Sequence, residues 1–192
     1  WICGASGSNA LRMSSSGSLS SSSSSIASTA ARAAASLSAA TAAIFATLSP
    51  GDKVLAFSDV YGGTFRLLKR VFEGFGLVPV FTDETSPSAF AKLMDAKTKL
   101  VWLESPTNPL LRCLDIKAIA DLCRQRKIMT LCDNTFATPF IQNPLDLGCD
   151  IVTHSTTKYL NGHSDVVGGA VIARETALAE ELAWWANVIG VT

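Results

Sequence analysis

Two polar segments in the second half of the chain carry residue types that could do chemistry together. Asp133 ends one apolar run, and Lys158 follows the next, with the hydroxyl groups of Ser155 and Thr157 close to the lysine. A lysine amine can bond to an aldehyde, a carboxylate can keep a ring nitrogen protonated, and hydroxyl groups can bind a phosphate. This combination predicts an enzyme that uses pyridoxal 5'-phosphate as its cofactor.

Two further loops follow predicted strands and carry side chains suited to a ligand site. Segment 58–64 presents the ring of Tyr61 beside two glycines, and segment 105–109 presents the Asn108 amide between two prolines. Taken singly, each of these residues has an ordinary explanation as a cap, a turn residue or a solvated cation. In open α/β sheets, however, ligands bind beyond the carboxyl ends of the strands, so we expect the four loops to face one crevice.

Strand and helix patterns alternate from residue 38 onward, and these elements must position the loops. The sequence predicts an α/β fold with a mainly parallel sheet between helices. The predicted strands are 53–57, 77–81, 100–104, 128–132, 151–153 and 168–173, and the predicted helices are 38–48, 64–75, one beginning at Pro87, 116–126 and 175–188.

The first part of the chain differs in composition from the rest. Residues 14–25 are almost entirely serine, and no acidic residue precedes Asp52. Such a tract buries too little apolar surface to offset its ordering entropy, so we expect residues 1–28 to be disordered. Residues 1–34 are interpreted as a disordered or aberrant leader, with an organelle transit peptide as an alternative, and residues 35–192 as an incomplete cofactor-binding domain.

The overall composition excludes several classes of function. Lys plus Arg and Asp plus Glu are balanced at 16 each, which predicts no nucleic-acid partner, and no apolar run approaches the roughly 20 residues that span a bilayer. The five cysteines show no C-x-x-C spacing, which favours reduced thiols in a cytoplasmic enzyme and no metal site. A nucleotide-binding domain is disfavoured because no G-x-G-x-x-G follows the first predicted strand.

Four motifs together resemble one known family. The segments D-V-Y-G-G-T at 59–64, E-S-P-T-N-P at 104–109, D-N-T-F-A-T-P at 133–139 and S-T-T-K-Y-L-N-G-H-S-D-V-V-G-G at 155–169 are similar to the Cys/Met-metabolism family of pyridoxal-phosphate enzymes. The resemblance runs from about residue 35 to the end of the chain. It implies the large domain of the fold type I, aminotransferase-like architecture. It also implies a homo-oligomer, a dimer of dimers in which two subunits complete each active site.

The resemblance also implies roles around the cofactor ring. Lys158 would bind the aldehyde and act as the catalytic base, and Asp133 would contact the ring nitrogen. Tyr61 would stack on the ring and assist proton transfer, while Thr135 would lie near the cofactor. By this resemblance, Lys158 and Tyr61 are the catalytic residues.

At the phosphate, the resemblance implies hydroxyl groups from Ser155 and Thr157 and backbone N–H groups from the helix start at Ser36 and Leu37. Ser36 stands where the family usually has glycine. A serine there would be strained if the backbone needed a positive φ.

For the substrate, the resemblance implies a sulfur amino acid contacted by Asn108, with Arg66 at the entrance. The expected reaction is γ-elimination from cystathionine to cysteine, 2-oxobutanoate and ammonia. Gly63 disfavours methionine, because the methionine-cleaving members typically carry cysteine there.

Two alternatives to γ-elimination remain open. One is γ-replacement, as in cystathionine γ-synthase or O-acetylhomoserine sulfhydrylase. The other is an inactive truncated fragment, because these residues contain no counterpart of the family's smaller carboxy-terminal domain or of its usual amino-terminal segment.

Overall fold

The computed structural model describes residues 30–34 and 36–190 of the chain. The segment 1–28, expected to be disordered, therefore lies outside the described residues. Within the described part, no helix is long and apolar enough to cross a membrane.

Seven strands of the described residues form one sheet, in the order β1-β7-β6-β5-β4-β2-β3. Strands β2 to β6 pair in parallel, whereas β7 is antiparallel to β6, and β1 is antiparallel to β7. The predicted α/β fold with a mainly parallel sheet is confirmed. The strands are β1 Ala30–Ala34, β2 Lys53–Phe57, β3 Val78–Thr82, β4 Thr98–Glu104, β5 Met129–Asp133, β6 Ile151–Ser155 and β7 Gly169–Ala173.

The helices begin where polar side chains can accept the first free backbone N–H groups. Ser36 accepts from Ala39 at the start of α1, Ser86 accepts from Ala89 at the start of α3, and Asp115 accepts from Ala118 at the start of α4. The helices are α1 Leu37–Ala46, α2 Gly62–Arg66, α3 Pro87–Leu93, α4 Ile116–Gln125, α5 Thr138–Ile141 and α6 Thr176–Ile189, with a π-helical turn at Leu67–Phe72 continuing α2.

Apolar side chains cover both faces of the sheet. Successive residues of β4 alternate between two clusters: Trp102 packs with Phe45 of α1, and Leu103 belongs to the cluster that contains Phe90 of α3 and Ile119 of α4. Burial on both faces explains why the central strands read as nearly continuous apolar runs. Because both faces are covered, side chains for a ligand site are expected at the ends of the strands.

The structure differs from the prediction at three elements. Strand β1 lies inside the segment assigned to the leader, where its alanine-rich sequence gives no strand signal and the pairing with β7 supplies the order. The short helix α5 was not predicted. Strand β6 continues two residues beyond its predicted end, so Ser155 belongs to the strand and not to the following loop.

Candidate active site

A cavity of about 220 Å³ opens beyond the carboxyl ends of β4, β5 and β6. All the predicted site residues except Arg66 line it: Ser36, Leu37, Tyr61, Asn108, Asp133, Thr135, Ser155, Thr157 and Lys158. Arg66 is an exposed residue of α2, so its place at a substrate entrance stays a prediction.

Asp133 ends β5 and is 2% exposed. Its Oδ1 atom accepts hydrogen bonds from the Thr135 backbone N–H at 3.0 Å and from the Thr135 hydroxyl at 2.6 Å. Burial raises the pKa of Asp133 to about 6, although the two Thr135 hydrogen bonds lower it. A cationic ring nitrogen beside this carboxyl group would favour its ionised form.

Thr135 also connects the ends of two strands. Its hydroxyl oxygen accepts the backbone N–H of Ser155 at 2.8 Å while its proton is donated to Asp133. The predicted ring contact at Asp133 and the predicted phosphate contact at Ser155 are thus held in one hydrogen-bonded unit. One hydroxyl group therefore links these two residues.

Lys158 lies in a turn that follows β6. Its backbone N–H donates to the Ser155 carbonyl at 3.2 Å, and its carbonyl accepts from Gly162 at 2.8 Å. The Thr157 hydroxyl exchanges two hydrogen bonds with the Gly168 backbone, at 3.2 and 2.9 Å, and so ties this turn to the start of β7. The Lys158 side chain is exposed at the cavity and forms no hydrogen bond or ion pair with the described residues, which leaves its amine accessible.

Helix α1 begins at the cavity wall. Ser36 has an extended backbone (φ −164°, ψ 170°), so a serine in place of the family's usual glycine causes no strain here. A Cβ atom added to Gly169 would lie 2.3 Å from the Ser36 carbonyl oxygen. Gly169 pairs with Ser155, so this close approach brings the positive end of α1 next to the Ser155 and Thr157 hydroxyls.

Tyr61 lies just before α2, and its ring lies over Gly63. A Cβ atom at Gly63 would be 2.3 Å from the ring, so only glycine allows this ring position. The Tyr61 backbone N–H donates to Glu104 Oε2 at 2.8 Å. The ring is thus placed at the cavity by its loop and by the end of β4.

Glu104 lines the cavity, and sequence reasoning missed it. It is 5% exposed and lies beside Asp133 in the sheet. Burial, followed by the negative charges of Asp133 and Asp59, raises its pKa to about 9. An acidic residue that ends an apolar strand next to another strand-end carboxylate was the available signal. The other lining residues not predicted are Ser38, Pro106, Phe136 and Val167.

The sequence matches the Cys/Met metabolism PLP-dependent enzyme family over residues 22–192. The chain belongs to this family. Among curated relatives, it is 50% identical over 151 residues to a cystathionine beta-lyase of Coxiella burnetii, which covers 78% of this chain and 39% of that protein. It is also 50% identical over 145 residues to a cystathionine gamma-synthase of Escherichia coli, covering 76% and 38%.

Solved structures of the family superimpose on this fold. The crystal structure of cystathionine gamma-lyase from Lactobacillus plantarum matches with a TM-score of 0.82 at 45% identity, over 84% of this chain and 42% of that one. The chain spans about two fifths of the length of the curated relatives it matches.

Pyridoxal phosphate is the cofactor of this family, and the residues of the cavity fit it. Asp133 is a buried carboxylate with no cationic hydrogen-bond partner among the described residues, and Lys158 offers a free amine at the same cavity. Ser155 and the start of α1 supply donors suited to a phosphate, and the Thr157 hydroxyl can join them by turning its proton away from the Gly168 carbonyl. Within the described part of the chain, no group of His, Cys, Asp and Glu residues could hold a metal ion.

Proposed function

We propose that this chain is the cofactor-binding part of an enzyme that cleaves cystathionine by γ-elimination. With one water molecule, the reaction gives cysteine, 2-oxobutanoate and ammonia. The meeting of Lys158, Asp133 and the start of α1 around one cavity carries this proposal. Relatives named for reactions of cystathionine support the substrate class.

In this proposal, each part of the cofactor has a partner in the chain. Lys158 binds the aldehyde, Asp133 contacts the ring nitrogen, and Tyr61 stacks on the ring. The phosphate binds the hydroxyls of Ser155 and Thr157 and the N–H groups at Ser36 and Leu37 that begin α1. Thr135 fixes the distance between the two ends of the site, because it hydrogen-bonds to both Asp133 and Ser155.

Pyridoxal phosphate, when bound, supplies an electron-withdrawing ring that stabilises negative charge at the substrate's Cα atom. Asp133 keeps that ring cationic, because an adjacent carboxylate stabilises a protonated nitrogen. Lys158 removes the proton from Cα and then moves a proton at Cβ before the Cγ–S bond breaks, with the Tyr61 hydroxyl assisting. Asn108 orients the substrate carboxylate, and Arg66 lies at the entrance.

A second candidate function is γ-replacement, in which a sulfur nucleophile takes the place of the leaving group at Cγ. The 50% identity to a cystathionine gamma-synthase favours it. Gly63 does not separate the two reactions. It does favour cystathionine chemistry over methionine cleavage, because the methionine-cleaving members typically carry cysteine at this position.

Product analysis tests the reaction. The purified chain is incubated with pyridoxal phosphate and cystathionine, and Lys158→Ala is the control. Release of 2-oxobutanoate that Lys158→Ala abolishes supports γ-elimination. Release of pyruvate indicates β-cleavage. In a second incubation, with cysteine and an activated homoserine ester in place of cystathionine, synthesis of cystathionine without an oxoacid indicates γ-replacement; either result overturns the proposal. A chain without any of these activities favours the inactive-fragment interpretation.

We further propose that the protein is a cytoplasmic homo-oligomer, a dimer of dimers in its full-length form. Large apolar side chains are exposed on the segments that follow β4, β5 and β6: Leu110 is 66% exposed, Phe140 97% and Tyr159 66%. A second copy of the chain would cover such a surface. The free thiols at Cys113, Cys123, Cys132 and Cys149 suit a reducing compartment. Sedimentation equilibrium measures the assembly.

A further inference from the structure

Glu104 connects two loops that the proposed function uses separately. Its carboxyl group ends β4, lies beside Asp133 and lines the cavity. The backbone N–H of Tyr61 donates to Glu104 Oε2 at 2.8 Å, from the loop that follows β2. The backbone N–H of Asn108, from the loop that follows β4, faces the same carboxyl group closely enough to lower its pKa. One side chain therefore accepts the backbone N–H of the ring-stacking residue and faces the backbone N–H of the substrate-orienting residue.

We propose that Glu104 is a positioning residue of this site, which fixes the Tyr61 ring and the Asn108 amide relative to Asp133 through the contacts of its carboxyl group with the two backbone N–H groups. The roles of Tyr61 and Asn108 rest on the proposed function. The contacts themselves do not depend on it.

The same two loops are joined a second time, farther from the sheet. The Thr107 hydroxyl donates to Asp59, and the Arg112 backbone N–H donates to the Thr107 hydroxyl oxygen at 2.8 Å. This second connection joins Asp59 to Thr107, and it includes neither Tyr61 nor Asn108. The backbone N–H groups of Tyr61 and Asn108 instead face Glu104.

The charges around Glu104 explain how its buried carboxyl group can accept a hydrogen bond from a backbone N–H group. Asp133 faces it from β5, Asp59 faces it from the loop after β2, and Lys158 lines the same cavity from the segment after β6. Because the pKa of Glu104 is raised to about 9, its carboxyl group is neutral at pH 7 and its carbonyl oxygen still accepts a hydrogen bond. The amide oxygen of glutamine can accept in the same way, whereas alanine cannot.

Amide hydrogen exchange of the cofactor-free chain tests the proposal directly. Glu104→Ala is expected to speed exchange at Tyr61 and Asn108 by about tenfold, the size expected for losing one hydrogen bond, and Glu104→Gln is expected to keep the wild-type rates. Thr98→Val is the matched control. It alters a 2% exposed residue at the opposite end of β4, where the hydroxyl hydrogen-bonds to Asp95.

Faster exchange confined to Tyr61 and Asn108 in Glu104→Ala, and absent in Thr98→Val, supports the positioning role. Equal acceleration at all amides, or the same pattern in Thr98→Val, overturns it, because Glu104 would then act only through global stability. If Glu104→Ala does not fold, Glu104→Gln decides: wild-type protection at both amides supports the role, and lost protection at both contradicts it.

Titration of pyridoxal phosphate separates this inference from the proposed function. With the positioning role intact, Glu104→Ala binds the cofactor about tenfold more weakly than Glu104→Gln. A wild-type chain that fails to bind the cofactor refutes the proposed function but leaves the exchange pattern as the test of Glu104.

Discussion

Carboxyl groups near the two ends of strand β4 are in opposite electrostatic situations. At the amino end, Asp95 is solvent-exposed, forms an ion pair with Lys53 at 2.8 Å and accepts backbone N–H groups from Lys97 and Thr98. The Lys53 hydrogen bond is the largest cause that lowers the pKa of Asp95 to about 2. At the carboxyl end, Glu104 is buried beside Asp133, and its pKa is raised to about 9.

This difference separates a carboxylate that stabilises the fold from carboxyl groups that cost stability. The native state favours ionised Asp95, because its charge has a cation and donors. It disfavours ionised Glu104 and Asp133, because burial removes their hydration and no cationic side chain of the described residues hydrogen-bonds to them. Groups retained at such a cost, in a cavity, are candidates for function.

The largest effect is expected when the buried carboxylate is neutralised. Asp133→Asn removes the charge that keeps the cofactor ring cationic, and we expect the rate of 2-oxobutanoate formation to fall by about 100-fold, a size typical of one lost electrostatic contact in an active site. The melting temperature should not fall, because a poorly solvated charge has been removed. Stopped-time product assays and thermal melts measure the two quantities.

Asp95→Asn is the matched control at the other end of β4. It should lower the melting temperature slightly and leave product formation unchanged, since its ion pair is exposed. If Asp95→Asn reduced turnover as much as Asp133→Asn, the distinction between the two ends would be wrong.

Two glycines extend the comparison to the backbone. Gly169→Ala places a Cβ atom against the Ser36 carbonyl oxygen at the carboxyl edge, and overpacking should cost about 1–3 kcal/mol of unfolding free energy and displace the start of α1. Gly51→Ala meets no atom within 4 Å at the other edge, but its φ of 92° should cost about 1–2 kcal/mol.

Only Gly169→Ala should weaken binding of pyridoxal phosphate, because the start of α1 belongs to the cavity. Urea unfolding and cofactor titration measure the two effects. If Gly51→Ala weakened cofactor binding equally, the loss in Gly169→Ala could not be attributed to the start of α1.

The last comparison concerns the pH dependence of stability. In the folded chain, the pKa of Glu104 is raised from its ordinary value of 4.5 to about 9. Its contribution to the free energy of unfolding is therefore complete below pH 4.5 and is lost as the pH rises towards about 9. The slope for one such proton is at most about 1.4 kcal/mol per pH unit. Asp133 adds a loss as the pH rises through about 6, while Asp95 stabilises above its ordinary value of 3.8 and loses that contribution as the pH falls towards about 2.

Glu104→Gln should therefore flatten the fall in stability between pH 6 and pH 9, as measured by urea unfolding across that range. An unchanged slope would mean that Glu104 is already ionised at neutral pH.

The sequence predicted the parallel core well, because its strands are apolar runs between turn signals. Strand β2 lies at its predicted residues, and Ser86 with Pro87 marked the start of α3. The members of the cavity were also predictable, since most of them follow strands whose carboxyl ends share one edge.

What the sequence could not predict depends on contacts between distant segments. Strand β1 is ordered by pairing with β7, residues that are far apart in the chain. The raised pKa of Glu104 depends on burial and on Asp133, which lies on another strand. The absence of strain at Ser36 depends on a backbone conformation that no residue pattern specifies.

The central claim is that Lys158 and Asp133 face one cofactor cavity. It is tested most directly by visible absorbance of the purified chain after addition of pyridoxal phosphate and removal of the excess. The wild-type chain should keep a visible absorbance band from the bound cofactor. Lys158→Ala should lose this band, while Lys117→Ala, which alters an exposed lysine paired with Asp121 on α4, should keep it. A colourless wild-type chain, or an unchanged band in Lys158→Ala, would contradict the account.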